Sequence, residues 1–384
     1  MSSFRFQTTP SVLAEIGATA RIGAFLAARG GRKVAFVTDA MILELGLAEA
    51  ALDGFAKAGL EVWTFSDVQA DPPEAMVLNA VAQAREAGVD CVASVGGGSS
   101  LDTAKLIAVL LATDQPLEEM YGVDLVRGGR LPLALAPTTA GTGSEVTPIS
   151  IVTTGANEKK GVVAPQLLPD FAVLDAELTV GLPAPVTAAT GIDAMVHAIE
   201  AFTSKRLKNV VSDCLAKQAL ALLGANIRTA CARPEDREAR AAMLLGSMLA
   251  GMAFANAPVA AVHALAYPLG GHFHIPHGHS NALVLPYVLD FNLPEAADAY
   301  AELAPVIFPE LAGRPAAERA QGLIDGFLAL GPELGMETRL SALGVNHNHL
   351  PMLAEDAMKQ QRLLINNPRE MTLEAARGIY AQAL

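Results

Sequence analysis

Between residues 33 and 136, short runs rich in β-branched residues alternate with alanine-rich stretches, and after Gly181-Leu182-Pro183 the alternation stops. The runs are Lys33–Thr38 (KVAFVT), Glu61–Phe65 (EVWTF), Asp90–Val95 (DCVASV) and Leu131–Ala136 (LPLALA), with helix-like segments such as Pro73–Ala87 between them. Strands separated by helices of that length pair in parallel, because each return crossing must span the sheet. Phe4–Thr9 reads as an additional edge strand, and Ser150–Thr154 with Gly161–Ala164 reads as a hairpin. Beyond Pro183, apolar residues recur at helical spacing in Val211–Leu223, Asp236–Ala253 and Leu373–Ala383. The pattern predicts an α/β domain over residues 1–182 and an all-helical domain over 183–384, divided around Pro183 and Pro185.

A chain of 384 residues, 52% hydrophobic and 17% charged, has enough apolar material to bury a core in each domain. Its net charge of −13 works against nucleic acid and anionic membrane as partners, which an excess of lysine and arginine would have to attract. Any anionic cofactor must then be held by local backbone amides or single lysines. Aromatics at 5% are too few for a base-stacking platform. Cys91, Cys214 and Cys231 are odd in number and widely spaced, unlike a disulfide framework, which points to a reducing compartment. Residues 1–20 lack the basic start and apolar core of a signal peptide. Apolar runs such as Val210–Leu223 are broken by Ser, Asp, Lys and Gln before they reach membrane-spanning length. A cytoplasmic enzyme is expected.

DCVASV leads into Gly96-Gly97-Gly98-Ser99-Ser100 and then into the helix-like LDTAKLIA. A strand, a glycine turn and a helix start together make an anion site, since glycines admit a phosphate to free amides at the positive end of the helix. A tight turn alone needs one glycine, so three in a row favour phosphate binding. The pattern is neither a P-loop nor GxGxxG, and it leaves the nucleotide open. LPLALA is followed by PTTAGTGSEVTP, where Thr138, Thr139, Thr142 and Thr147 offer hydroxyls to a ribose and phosphates. Asp39, directly after KVAFVT, suits two roles equally by residue type. It can accept from an adenosine ribose, selecting NAD over NADP, or cap the next helix.

In GIDAMVHAIE, Asp193 and His197 stand four apart, so a helix puts both on one face, where they can grip one ion. Such a pair also serves as an ordinary helix salt bridge. What tips the balance is HALAYPLGGHFHIPHGH, from His263 to His279, which holds five of the eight histidines. One carboxylate with several imidazoles suits Fe2+ or Zn2+, whereas Ca2+ or Mg2+ calls for mostly oxygen ligands. His263 and His277 are the favoured ligands, with His272, His274 and His279 as supporting or surface residues. Spacing alone does not separate the five.

Together GGGSSLDTAK, PTTAGTGSEVTP, GIDAMVHAIEAF and HALAYPLGGHFHIPHGHSNALVLP resemble the iron-containing (group III) alcohol dehydrogenases, from the Asp39 strand to Asn367-Pro368-Arg369. The resemblance implies a Rossmann-like dinucleotide-binding domain and an all-α C-terminal domain, in a dehydroquinate synthase-like fold with the active site in the cleft between them. It implies Asp193, His197, His263 and His277 as metal ligands. The pyrophosphate is implied on Gly97, Gly98 and Ser99 with Asp102 nearby, and the nucleotide on Thr138, Thr139 and Thr147, with Thr142 in the same loop. Lys159 would reach the ribose on the nicotinamide side, and Asp39 takes the NAD-selecting position. Two positions depart from the family pattern. Tyr267 stands where a histidine often follows the third ligand by four residues, so an imidazole relay does not carry over. Asp71-Pro72 replaces Asn-Pro after the third strand, which weakens the adenosine contact implied at Asp71. A homodimer or larger homo-oligomer is the expected assembly.

The chemistry so implied is hydride transfer between a small primary alcohol and the nicotinamide C4 of NAD, with Fe2+ (or Zn2+) on the alcohol oxygen. His263 and His277 serve catalysis as ligands. Tyr267 is the candidate proton relay, although an ordinary phenol pKa of about 10 makes it a weak base. Ala-, Leu- and Phe-rich surroundings, Phe254 among them, favour a small, mostly apolar alcohol or aldehyde. One alternative is a reductase of an oxo acid, of the maleylacetate or hydroxyacid–oxoacid type. Another is an NAD- and metal-using lyase of the dehydroquinate synthase kind, which needs a Lys/Arg clamp on a phosphate. Few basic residues stand near the histidine segment along the chain.

Overall fold

Strands buried on both faces need near-continuous apolar runs, and the central strands have them. A computed structural model describes residues 3–155 and 158–384. Its strands are Val12–Ala14 (β1), Lys33–Val37 (β2), Glu61–Phe65 (β3), Cys91–Gly96 (β4), Gly122–Val123 (β5), Leu133–Pro137 (β6), Ile149–Thr154 (β7), Glu158–Val163 (β8) and Phe171–Leu174 (β9). The main sheet runs β1-β9-β6-β4-β2-β3, with every neighbouring pair parallel. β4, β6 and β9 are buried throughout, whereas the outermost β1 and β3 expose most of their residues.

Helices Ile22–Ala27 (α1), Ala40–Glu44 (α2), Glu49–Lys57 (α3), Glu74–Ala87 (α4) and Gly98–Leu110 (α5) cover the two faces. The two-residue period of β2 shows in its partners. Val34 and Phe36 pack with Ile22, Leu26 and Phe55, while Ala35 and Val37 pack with Val77, Val81 and Leu101. From β2 the chain moves out to β3 and returns to β4 on the other side of β2, so strand order reverses there. Such a reversal opens a crevice at the carboxyl ends of the two strands, where ligands bind in folds of this class. Asp39 follows β2 at that end, and the glycine turn follows β4.

The hairpin expected after residue 150 is β7–β8, antiparallel, with β5 added alongside β8 to make a small second sheet. The edge strand expected at Phe4–Thr9 is not there. The edge is β1, pairing with β9 from Val12 onward. Pro10 supplies no N–H just after that run, and Thr9 turns inward to donate its hydroxyl to the Glu145 carbonyl at 3.1 Å. This unit extends from Gln7 to Val180, and a second comprises Gly181–Leu384 with residues 3–6.

The second unit consists of Ala184–Thr203 (α6), Val210–Ala232 (α7), Arg237–Asn256 (α8), Ala261–Phe273 (α9), His277–Ile307 (α10), Ala316–Glu333 (α11), Leu350–Met358 (α12), Gln361–Leu364 (α13) and Leu373–Gln382 (α14), joined by short turns. α6 is its axis, buried without a break from Gly191 to Phe202 and packed against α7, α8 and α10. α7 is long and apolar enough to cross a membrane, and it packs on α6, α8 and α10. α9 ends at His274, whose φ of 55° is left-handed, and α10 starts again after Pro276. The first turn of α10 lies hard against α6. A Cβ on Gly278 would meet the Ala189 carbonyl oxygen at 2.4 Å and the Asp193 Cβ at 3.2 Å. Only glycine allows that approach, and it is what brings His277 beside Asp193.

Candidate functional site

Positions 193, 197 and 200 share one face of α6, because steps of three and four residues return to the same side of a helix. All three side chains are buried. One ligand atom from each of Asp193, His263 and His277 lies within 4.8 Å of the other two. Asp193 Oδ1 is 3.6 Å from His277 Nε2 and 3.9 Å from His263 Nε2. His197 stands alongside, its ring centre 4.7 Å from that of His263 and 4.3 Å from that of Phe254. Burial works to raise the pKa of Asp193. His197, His277, His263 and a hydrogen bond from Asn281 together outweigh it and hold the group below the usual carboxylate value. The carboxylate is therefore an ionised donor.

Two further buried residues organise this cluster. Glu200 Oε2 accepts the Nδ1–H of His263 at 2.6 Å, while its Oε1 accepts the Val262 N–H at 2.7 Å. With Nδ1 protonated, the lone pair of His263 lies on Nε2, the nitrogen nearer Asp193. Asn281 donates to Asp193 Oδ1 at 2.5 Å and lies 3.3 Å from His277 Nε2. An ionised oxygen with imidazole nitrogens, one of them oriented by a second carboxylate, is the donor set of a borderline cation such as Fe2+ or Zn2+. The residues fit that group. Among the described residues, His272, His274 and His279 stand outside the cluster. His272 pairs with Asp356, His279 donates to the Glu337 carbonyl, and His274 terminates α9.

In the N-terminal unit, Gly97 caps α5 with extended backbone, and Gly98 and Ser99 form its first turn. A Cβ on Gly98 would lie 2.8 Å from Thr142 Cγ2, so this glycine lets the threonine-rich loop close onto the turn. The Thr138 N–H donates to the Gly96 carbonyl at 3.0 Å, and Thr139 is half-buried beside it. Behind the loops Lys105 is fully buried, donating to Ile149 O at 2.7 Å, Ser144 Oγ at 2.8 Å and Thr147 Oγ1 at 3.2 Å. Asp102 Oδ1 lies 3.4 Å from that ammonium and accepts the Ser144 hydroxyl, and Oδ2 accepts the Ile151 N–H at 2.9 Å. Desolvation lowers the pKa of Lys105 against the opposing pull of Asp102. Asp102 and Thr147 thus tie the two loops together through Lys105.

In the structure Asp39 takes the capping role. Its Oδ1 accepts the Ile42 N–H at 3.1 Å and caps α2, while its Oδ2 lies 3.9 Å from where a Cβ on Gly96 would stand. Asp71 has a left-handed φ of 53° and pairs with Lys159 Nζ at 2.6 Å, and Lys159 also donates to Thr153 Oγ1 at 2.9 Å.

Residues 9–176 match the family model described as iron-containing alcohol dehydrogenase, and residues 187–384 match the C-terminal model of the Fe-containing alcohol dehydrogenase family. The chain belongs to the iron-containing alcohol dehydrogenases. It is similar to long-chain-alcohol dehydrogenase 1 of Geobacillus thermodenitrificans, with 40% identity over 364 residues, 92% of this chain and 90% of that one. The NAD-dependent methanol dehydrogenase of Bacillus methanolicus is 33% identical over 380 residues, 99% of both chains. A solved structure of a 1,3-propanediol oxidoreductase matches with a TM-score of 0.96 at 33% identity, covering both chains completely. The protein is therefore an oxidoreductase of alcohols and aldehydes.

In this alcohol dehydrogenase the exposed side of the cluster is at His277, whose side chain is 39% exposed. Tyr267, one turn after His263 on α9, lies with its ring centre 5.9 Å from that of His277. Burial raises the pKa of its hydroxyl, opposed by the charge of Arg362 and by a hydrogen bond from that guanidinium. A cation therefore does stand near the histidine segment, supplied by α13. Phe254 is buried and stacked on His197, where it supports the imidazole. Glu200, Asn281, Lys105 and Arg362 carry no signal strong enough to single them out in the sequence. Glu200 and Asn281 could have been found by helical spacing, at three residues after His197 and four after His277.

Proposed function

We propose that this dehydrogenase interconverts a small primary alcohol and its aldehyde by hydride transfer with NAD(H), using one Fe2+ or Zn2+ ion held by Asp193, His197, His263 and His277. The observation that carries the reading is the convergence of Asp193, His263 and His277 within 4.8 Å, with Glu200 fixing the His263 tautomer. When bound, such an ion supplies Lewis acidity toward the alcohol or carbonyl oxygen. The protein's part is to present one ionised oxygen and oriented imidazole nitrogens in a largely buried setting. For the coenzyme, Gly97, Gly98 and Ser99 offer the amides at the start of α5 to the pyrophosphate. Thr138, Thr139 and Thr142 offer hydroxyls, while Asp102, Thr147 and Lys105 hold the loops in shape. The second oxygen of Asp39 favours a ribose hydroxyl over a 2′-phosphate, and Lys159, paired with Asp71, is assigned to the second ribose. NAD use is further supported by the similarity to the NAD-dependent methanol dehydrogenase of Bacillus methanolicus.

The test is oxidation of NADH dependent on a short aldehyde, followed by absorbance, with enzyme stripped by chelator and reloaded with Fe2+ or Zn2+. Turnover that persists after complete metal removal, or no turnover across a panel of short aldehydes, would sink the reading.

A further inference from the structure

We propose that the carboxamide of Asn281 is a further ligand of the metal site, turning its Oδ1 to the cation and so favouring Fe2+ over Zn2+. The inference rests on the metal reading above and goes beyond its four ligands. Asn281 stands four residues after His277 on α10, so both side chains leave the same face of the helix. Gly278 lets that helix lie hard against α6, and Asn281 is fully buried there.

Its Nδ2 lies 2.5 Å from Asp193 Oδ1, 3.3 Å from His277 Nε2 and 3.5 Å from His263 Nε2. Asp193, His263 and His277 are the residues whose donor atoms lie within 4.8 Å of one another. The amide nitrogen thus presents partial positive charge to all three, although its two hydrogens serve at most two of them. At the other end of the group, Oδ1 is buried with no hydrogen-bond partner among the described residues. A buried carbonyl left without a donor is costly, so its retention calls for a reason.

The two ends of a carboxamide have nearly the same shape and opposite polarity. Facing a carboxylate and imidazole lone pairs alone, the NH2 end is the stable one. With a divalent cation among those groups the NH2 end is repelled, and Oδ1 gains the partner it lacks. Half a turn about the Cβ–Cγ bond exchanges the two ends without moving the helix. Asn281 then adds a neutral oxygen to one carboxylate oxygen and three imidazole nitrogens. A tetrahedral Zn2+ site is complete with four ligands, whereas Fe2+ in mixed nitrogen and oxygen sites keeps further positions.

The deciding measurement is a crystal structure of wild type loaded anaerobically with Fe2+, which no folding defect of a variant can obscure. A terminal atom of Asn281 is expected about 2.2 Å from the ion, as for an oxygen ligand, and only Oδ1 has the lone pair to stand there. A side chain that stays beyond ligand distance, still donating to Asp193, would overturn the proposal.

Two variants read the same ligand in solution. The readouts are metal affinity by chelator competition and the visible spectrum of the Co2+-loaded protein, which is more intense for four ligands than for five or six. Asn281→Leu removes both ends of the amide at similar volume. Its Fe2+ affinity should fall by at least the roughly 10- to 100-fold typical of losing a supporting residue, its Zn2+ affinity by less, and its Co2+ spectrum should intensify. Asn281→Asp keeps an oxygen in place but no N–H. It should retain the wild-type Co2+ spectrum, while its metal-free form loses Tm because two carboxylates then meet. Equal losses of Fe2+ and Zn2+ affinity in Asn281→Leu, with an unchanged Co2+ spectrum, would mean that Asn281 only orients Asp193, and the proposal fails. A wild type that binds none of the three ions would refute the metal reading itself, whereas bound metal that Asn281 does not touch refutes only the further ligand.

Discussion

Glu200 accepts the Nδ1–H of His263 at 2.6 Å and so decides which nitrogen of that ring faces Asp193. The carboxylate comes from α6, the same helix that carries Asp193 and His197, whereas the imidazole comes from α9. One buried hydrogen bond from a neutral imidazole to a carboxylate therefore couples the packing of two helices to the electronic state of a ligand. Carboxylates behind ligand histidines typically strengthen metal binding by about 10- to 100-fold.

That coupling predicts the behaviour of Glu200→Gln. The amide can still accept from Nδ1–H but has lost its charge, so His263 becomes a poorer donor. Metal affinity, measured by competition against a chromogenic chelator, should fall roughly 10- to 100-fold with the fold retained. Equal affinity in variant and wild type would show that Glu200 serves packing alone.

Glu145 predicts a pH dependence of stability. Burial pushes its carboxyl up to about 7 from an ordinary 4.5, against the pull of its own backbone hydrogen bond and of Lys105. Its Oε2 has no partner among the described residues. Between those values the folded chain keeps a proton that the unfolded chain has released. Stability from the neutral form is thus fully present below pH 4.5 and lost as pH rises through about 7. The amount is on the order of 3 kcal/mol. Glu145→Gln cannot ionise, so its stability relative to wild type should increase between about pH 4.5 and about pH 7 and level off above that in urea titrations. A constant difference would show that Glu145 is ionised throughout.

Asp39 predicts coenzyme choice. Because Oδ1 caps α2, a change at this position also touches stability. Glycine is tolerated at an N-cap at a cost of only about a few tenths of a kcal/mol, which makes Asp39→Gly the cleaner probe. Removing the charge should raise the NADP-to-NAD ratio of kcat/KM on the order of 10-fold. A wild type that already prefers NADP would refute the role assigned to the second oxygen.

How much of this was legible in the sequence depends on how far apart the interacting residues lie. β2, β4 and β6 could be read because a strand buried on both faces writes its environment into its own residues. Asp193 and His197 could be read because both sit on one helix. The run at Phe4–Thr9 (FRFQTT) misled because aromatic and β-branched residues alternating with polar ones look like a strand whether or not a partner pairs with them. The true edge strand is set by residues near Ala172. Glu200 and His263 are 63 positions apart, and Lys105 and Ser144 are 39 apart. Arg362 likewise meets Tyr267 only through the docking of α13 on α9. Contacts of that range are made by helix packing and loop closure, which local periodicity does not encode.

Tyr267 separates a proton relay from a wall of the pocket. Its ring rests near His277, and the charge of Arg362 acts on its hydroxyl. Burial raises the pKa of that hydroxyl, and the Arg362 contact offsets this only in part. A phenol of raised pKa gives up its proton reluctantly near neutral pH, so it is a poor relay for an alcohol that a metal already acidifies. Tyr267→Phe keeps the ring and removes only the hydroxyl. Turnover of a neutral aldehyde should fall by less than about 10-fold, with metal content unchanged, whereas a relay would cost roughly 10²–10⁴-fold. Tyr267→Ala removes the ring as well, and should widen the range of aldehydes accepted while lowering discrimination among chain lengths. If the Phe variant instead loses turnover by the larger factor while retaining its metal, the hydroxyl moves the proton, and Arg362 is the group that makes it able to.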